Sequence, residues 1–457
     1  MKTIKVLFLL SFFSNITFAQ CYKAIKTNST TTIALHNDGT LWAWGNNIFG
    51  VLGIGETSFS NFPNTQIGIG NNWSSKFSLK LHVLAIKTDG TLWAWGNNEI
   101  GQCGNNTSGT SNYINSPQQI TTDLWSEVAT GFNYSLAIKS DGTLWTWGRN
   151  DYGQLGNGTT NFASIPTQVG TDSNWAKVFS YSTTSYAIKS DGTLWSWGGG
   201  SGTLGRTNGF YTIPGQVGTS SNWLSLSPNS SSTMAIKTDG TLWAWGRNRS
   251  TAYPVFYGNG LNDTNNYENN PTQIGSDSNW KSISTDQYDF RALKTDGTLW
   301  GWGNNVNGIL GDGTNIPRDT PIQFGLENDW VYLQTDSRAF AIKSNNSLYQ
   351  WGDFQPVITY PMLSGTECLL STSNFNKGHI VKLIPNPIHD KATLLFDEKI
   401  HIQEIIIYDF LGKTINRFEA NSNKREMQID FTPYSKGIYF IRIKSEKGYD
   451  ILKISKD

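Results

Sequence analysis

The sequence predicts an all-β protein, a seven-bladed β-propeller followed by a small antiparallel β-sandwich, and three observations lead there. The first is a decapeptide, Lys87-Thr88-Asp89-Gly90-Thr91-Leu92-Trp93-Ala94-Trp95-Gly96, that returns almost unchanged along the first four-fifths of the chain. Its Trp-Gly end falls at Trp44, Trp95, Trp147, Trp197, Trp245, Trp302 and Trp351, in steps of 51, 52, 50, 48, 57 and 49 residues. A period near fifty is the signature of a ring or array of small sheets. The second is that each copy holds the content of about four strands, which is one propeller blade. The third is a break in composition: all 19 Trp lie at or before Trp351, whereas residues 382–457 have none and hold 24 of the 70 charged residues. Two domains are therefore expected.

Taken in order, residues 1–5 are basic, residues 6–13 form an apolar stretch too short to span a bilayer, and Ala19 offers a small residue at a cut. This reads as a signal peptide over residues 1–19. A lipoprotein anchor at Cys21 is the competing reading, and Gln20 is a poor neighbour for a lipidated Cys. No other segment is long or apolar enough to cross a membrane.

The propeller is expected over residues 20–375. Ala85-Ile86-Lys87 and Leu92-Trp93-Ala94-Trp95 are short apolar runs, and Asp-Gly between them supplies the positive φ angles of a tight hairpin turn. Sixteen residues upstream of that Asp stands another Trp: Trp73, Trp125, Trp175, Trp223 and Trp280 keep the spacing. Downstream, a Gly-x-Leu-Gly corner leads to a Pro-x-Gln-Val/Ile-Gly run. In Leu41-Trp42-Ala43-Trp44 both Trp share one face of the strand. Blade-to-blade packing explains such pairs. An aromatic sugar platform would need Trp at loop tips, and these are strand residues.

Composition narrows the partners. The chain has 35 Lys and Arg against 35 Asp and Glu, a formal net charge of zero, and 15% charged residues. That offers no basic field for nucleic acid or an anionic membrane surface.

The pattern Ala-Ile-Lys-x-Asp-Gly-x-Leu-Trp-x-Trp-Gly, followed by Gly153-Gln154-Leu155-Gly156, resembles the RCC1 repeat, whose family forms seven-bladed propellers. This chain departs from the family in places. Of the His that commonly precedes the Ala-Ile strand, only His82 is present; Thr31, Tyr134, Thr184, Ser232, Asp289 and Arg338 stand elsewhere. The corner becomes Gly101-Gln102-Cys103-Gly104 in the second copy, is unrecognisable in the fifth and is lost in the seventh, where Asn345-Asn346-Ser347-Leu348-Tyr349-Gln350-Trp351-Gly352 is the most worn hairpin. The family's nucleotide exchange on a nuclear GTPase and its chromatin binding do not carry over to an exported, neutral chain. A secreted bacterial propeller of this repeat class that inhibits β-lactamases is the nearer analogy, and fold does not fix function.

After a linker at 376–381, residues 382–457 resemble the type A C-terminal sorting domain of the type IX secretion system of Bacteroidetes. The residues that carry this are Leu383-Ile384-Pro385-Asn386-Pro387, Ile405 to Asp409 with Gly412-Lys413, Gly437-Ile438-Tyr439-Phe440, and the closing Lys453-Ile454-Ser455-Lys456. Alternation in these runs, with turns at Gly412 and Gly448, suggests a small antiparallel sandwich. The resemblance implies engagement with the secretion machinery, passage through the outer membrane, and release or attachment at the cell surface.

No catalytic, cofactor or metal residue is expected. His36 and His82 sit in different repeats without Cys or acidic partners at ligand spacing, three Cys cannot form a four-thiolate zinc site, and the Asp of each Asp-Gly has a turn role. Cys21 and Cys368 occupy nearly matching places in the first repeat's opening strand and in residues 365–370, an eighth copy of that strand. They could bridge in an oxidising compartment or stay free and buried. Cys103 replaces the Leu of a corner. The expected role is a secreted or surface scaffold binding an extracellular protein, with a carbohydrate-binding or adhesive protein as the alternative. The irregular fifth-repeat insertion, residues 247–270, is the expected contact area.

Overall fold

The computed structural model describes residues 22–456 apart from 201, 207–208, 248–266, 287, 337, 353–357, 364–380, 385–387, 410–413 and 446–447. The signal peptide, Cys21, Cys368 with the eighth strand copy, residues 376–380 of the linker, Pro385, Asn386, Pro387, Gly412, Lys413 and most of the fifth-repeat insertion lie outside the described residues, while the linker's last residue, Val381, opens a strand.

Each decapeptide closes a β-hairpin. In the third copy Tyr134–Lys139 pairs antiparallel with Leu144–Gly148, placing Ala137 opposite Trp145. The loop is not the two-residue turn that Asp-Gly suggests, in which both central residues take positive φ. Gly142 N–H donates to Lys139 C=O at 2.9 Å, Lys139 N–H donates to Thr143 C=O at 3.0 Å, and only Gly142 among the loop residues has positive φ, +83°. It is a three-residue loop with one left-handed glycine. Asp141 explains why. Its Oδ1 accepts from the Thr143 N–H at 2.9 Å and hydroxyl at 2.6 Å, an Asx turn that needs no left-handed Asp. The Thr143 hydroxyl oxygen accepts from Trp145 Nε1 at 2.8 Å, and Lys139 Nζ lies 3.8 Å from the Trp145 ring centre.

A strand before and a strand after complete each unit. Trp175–Tyr181, Thr184–Lys189, Leu194–Gly200 and Gly209–Gln216 pair in chain order, and four more sheets of this kind open at Tyr22, Trp223, Trp280 and Trp330. The second and third units instead share one seven-stranded sheet, because Tyr113–Thr130 runs unbroken. Its start pairs with Thr91–Asn97 and its end, from Trp125, with Tyr134–Lys139. One strand thus serves as the last of one unit and the first of the next. The first strand of each unit touches that of the following unit, and Tyr22–Thr27 touches Trp330–Thr335. The ring closes there through side chains: the Tyr332 hydroxyl donates to Ile25 C=O at 2.6 Å.

What repeats in the sequence is what meets a neighbour. The hairpin glycine's carbonyl accepts from the N–H of the next unit's first Trp, as in Trp175 N–H to Gly142 C=O at 3.0 Å. In five hairpins the second Trp reaches back to the preceding unit's corner. Trp95 donates to Val51 C=O, Trp147 to Gln102 C=O, Trp197 to Gln154 C=O and Trp351 to Ile309 C=O at 2.9 to 3.0 Å, and Trp245 to Thr203 C=O at 2.6 Å. The rings of these five Trp are fully buried. The corner's last glycine lies flat beneath the indole. A Cβ on Gly156, at φ +69°, would stand 2.6 Å from Trp197 Nε1.

Two seams lack a recognisable corner. Trp302, which follows the fifth copy, is fully buried, but its Nε1 has no hydrogen-bond partner among the described residues; Phe290 stacks on it at 5.8 Å. Trp44, which follows the worn seventh copy around the ring, is only half-buried and meets Phe340 edge-on at 6.5 Å. Gly156→Ala is expected to cost more than Gly170→Ala. Both residues have positive φ, which by itself costs about 1–3 kcal/mol in a side-chain-bearing residue, but a Cβ on Gly170 meets nothing within 4 Å. Equal urea midpoints for the two variants would refute the flat-packed corner.

The tail lies in a separate compact unit. Val381–Ile384, Lys391–Asp409, Thr414–Asp430, Gly437–Ser445 and Gly448–Lys456 form one five-stranded antiparallel sheet. The expected sandwich is here a single hydrogen-bonded sheet, because Lys391–Asp409 pairs with Val381–Ile384 through its first half and with Gly437–Ser445 through its second. Ile388, Leu394, Ile405, Ile407, Phe431 and Ile441 share its core. Tyr439 is buried and donates to Ser435 C=O at 2.7 Å, and Lys453 lies in the last strand opposite Phe440.

Candidate functional site: the axial channel

With hairpins, corners and second Trp committed to seams, the inner strand of each unit is a surface left for function. Strand residues alternate between faces. Residues paired with the Ala of the neighbouring strand, such as Ile25 with Ala34, Phe77 with Ala85 and Val178 with Ala187, are apolar and buried. The residues just before and after them include Lys76, Glu127, Lys26, Ser78, Phe179 and Gln334. These line a cavity of about 380 Å³ bounded by all seven inner strands.

The channel is charged in layers. In the layer before the apolar rung, Lys76 pairs with Glu127, and Lys177 Nζ donates to Leu224 C=O at 2.5 Å. In the layer after it, Lys26 Nζ donates to Gln334 Oε1 at 3.0 Å. Two residues further along each strand, Lys80 Nζ stands 3.6 Å from Asp336 and 4.9 Å from the Tyr181 ring centre. Burial, reinforced by Asp286 and Asp336, pushes the Tyr181 hydroxyl well above its ordinary value. Near this end Asp289 is buried against Arg291, with 2.8 Å between Oδ1 and Nη2. Burial raises its carboxyl to about 7, opposed by Arg291 and reinforced by Asp286 and Asp336.

The seam residues are chemically quiet. His82 Nε2 lies 2.7 Å from Ser135 Oγ, which itself donates to Gln102 C=O at 2.7 Å. His82 therefore donates through Nε2 as the neutral ring, and burial lowers its pKa to about 3. A depressed His pKa means that the folded state binds fewer protons than the unfolded one between about 3 and 6.5, so this contribution to stability grows as pH rises and is complete above 6.5. At pH 4.5 the loss from His82 is expected to be about 2–3 kcal/mol. His82→Gln should flatten the pH dependence of the urea midpoint by that amount, and an unchanged slope would contradict the buried neutral ring. The half-buried first Trp of the hairpins, Trp93, Trp145, Trp195, Trp243 and Trp300, each carry their own hairpin's Lys 3.7 to 4.2 Å from the ring centre. All seven Trp singled out in the sequence belong to seams. Cys103 is a free, buried thiol in its corner, as a Leu substitute would be. Among the described residues no group of three or more His, Cys, Asp or Glu could hold a metal ion, and no helix is long and apolar enough to cross a membrane. The insertion expected as contact area can be placed only at its margins, Arg247 and Tyr267, which end and begin strands. The channel residues were missed because alternate positions in an inner strand form no local motif.

Comparison with known families agrees with this geometry. The model of the Regulator of chromosome condensation (RCC1) repeat matches residues 89–138, 141–187 and 296–333, and a second model of that repeat matches 22–51 and 125–154. The Secretion system C-terminal sorting domain matches residues 382–456. The chain carries RCC1 repeats and a secretion sorting tail. The sorting domain marks it for export to the cell surface or extracellular space. Similar curated proteins share only a part of it. The human E3 ubiquitin-protein ligase HERC2 is 30% identical over 159 residues, 32% of this chain and 3% of that protein. The Ultraviolet-B receptor UVR8 of Arabidopsis thaliana is 26% identical over 148 residues, 32% of this chain and 34% of the receptor. The matched region thus spans no more than about a third of either relative's length. Among solved structures, human WBSCR16 superposes with a TM-score of 0.60 at 21% identity, covering 69% of this chain and 85% of that one. Yeast RCC1 superposes with a TM-score of 0.59 at 16% identity, covering 84% and 93%. At these identities the RCC1 likeness is one of fold.

Proposed function

We propose that this exported propeller is a non-enzymatic binding scaffold that receives a partner protein at a mouth of its axial channel. The observation that carries this is the division of labour in the ring. The repeated residues are consumed at the seams, while the inner strands, which differ from unit to unit, present a charged and polar lining. A surface that varies within an otherwise repeating frame is where specificity can be built without loss of the fold. Lys80 and Asp336 at one end offer charge that can orient a partner, and Tyr181 offers an aromatic edge of the kind that anchors protein contacts. The sugar reading loses most of its platform, since six of the second hairpin Trp are fully buried and five of the first are covered by Lys. The secreted protein, immobilised and exposed to surface proteins of surrounding cells, is expected to retain a partner that a Lys80→Ala, Asp336→Ala variant releases. Glycan-array binding unaffected by that variant would instead support a carbohydrate-binding or adhesive protein.

A further inference from the structure

We infer that the middle of the axial channel is a binding site for a single carboxylate, held by the Lys26 ammonium. The inference rests on reading the channel as the binding region and names what it takes. The channel holds Lys26, Lys76, Lys80 and Lys177 against the carboxylates of Glu127 and Asp336, with Lys177 bonded to a backbone carbonyl in the layer before the apolar rung. Both acids are already engaged, Glu127 by Lys76 and Asp336 by Lys80. Lys26 is left with the neutral Gln334 amide oxygen at 3.0 Å, and among the described residues no carboxylate stands within ion-pair distance of it. Lys26 is half-buried, and an ammonium even partly withdrawn from water without a counter-ion is unfavourable. The rung after the apolar one therefore carries a single positive charge with no carboxylate beside it, which suits a monoanion.

The neighbours supply the rest of a carboxylate site. Lys26 uses one of its three donors on Gln334. Ser284 lies on the same rung, since Ile25, Leu333 and Ile283, the residues before Lys26, Gln334 and Ser284, each pair with the Ala of the adjoining strand. Ser284 Oγ accepts from the Thr335 N–H at 2.8 Å and hydroxyl at 2.9 Å, so its own O–H is available as a donor. Ala129 and Phe179 sit on that rung across the cavity and suit a short aliphatic arm. Such a carboxylate could come from an acidic side chain on a partner's loop or from a free small acid. Burial, with Lys80 adding to it and Glu127 opposing it, lowers Lys26 to about 8. Lys76, Asp336 and Tyr181 are the other titratable groups in the cavity lining. A bound carboxylate would draw a proton onto Lys26 near that pH, and its affinity should fall as pH rises through 8.

The test is calorimetric titration of the whole secreted protein with butyrate and with a capped Gly-Glu-Gly peptide, at pH 7 and pH 9. Saturable binding of one equivalent of at least one probe is expected, weakened up to about tenfold at pH 9 and at least tenfold in Lys26→Met. Lys23→Met, an exposed lysine on the same strand, should bind as the parent does. Lys26→Arg keeps the charge, so it should bind at both pH values and lose the pH dependence, which also covers the case that Lys26→Met does not fold. Binding of the peptide but not butyrate assigns the site to a partner's side chain, and the reverse assigns it to a free acid. No saturable binding of either probe, or equal binding by Lys26→Met, overturns the inference. Intact carboxylate binding with no partner retained would remove the scaffold reading and leave this one standing.

Discussion

Removal of residues 382–457 is expected to leave a folded propeller that no longer reaches the cell surface or medium. Folding should survive because every element of the ring is found within residues 22–365. The seven Trp-bearing hairpins, the corners beneath five of the second Trp, and the closing contact of Tyr332 with Ile25 all belong to that unit. The tail has its own core around Ile388, Leu394, Ile405, Ile407, Phe431 and Ile441, so its loss opens no cavity in the propeller's clusters. Export should fail because the sorting domain occupies 382–456. Fractionation of cells and medium, with tryptophan fluorescence of the recovered protein as the test of folding, separates the two effects. Normal delivery of the truncated chain would remove the sorting role, and an unfolded product would show that the propeller depends on the tail.

Trp147→Ala is expected to destabilise the propeller by about 3–5 kcal/mol, the range for emptying a buried aromatic site. Trp147 is fully buried, its Nε1 donates to Gln102 C=O at 2.9 Å, and Trp125 packs edge-on against it at 6.1 Å. The change removes the side chain and one of the two donors that Gln102 C=O holds, the other being the Ser135 hydroxyl. Trp44→Ala should cost less, about 1–2 kcal/mol, as is usual for a partly exposed site, because Trp44 is half-buried and follows the copy that lost its corner. Urea midpoints of the two variants decide it. Equal losses would mean that the corner contributes nothing, and a loss below about 1 kcal/mol at Trp147, well under the range for a buried aromatic, would put that ring outside the core.

The sequence determined the repeating frame because each repeat solves the same local problem. Asp-Gly-Thr sets a hairpin through contacts two residues apart, the alternating Leu-Trp-x-Trp fixes which residues face a seam, and Gly-x-Leu-Gly is flat because an indole lies on it. Even the worn seventh copy keeps its turn: Asn346 takes the left-handed place of Gly at φ +64°, and Asn345 Oδ1 accepts from Ser347 N–H at 3.0 Å as the Asp would. The sorting tail was legible for a similar reason, since its motifs lie in order along one short stretch. The turn type was misread because Asp's side-chain bonds, rather than its backbone preference, decide the loop. Nothing local marked the continuous strand Tyr113–Thr130. The channel belonged entirely to the tertiary structure. Lys26 meets Gln334 across 308 residues of chain, and Lys80 meets Asp336 across the same ring closure. Such pairs have no spacing that a sequence can display, because only when seven inner strands converge on one axis do their alternate side chains share a cavity, and only then does the lack of a carboxylate beside Lys26 acquire a meaning.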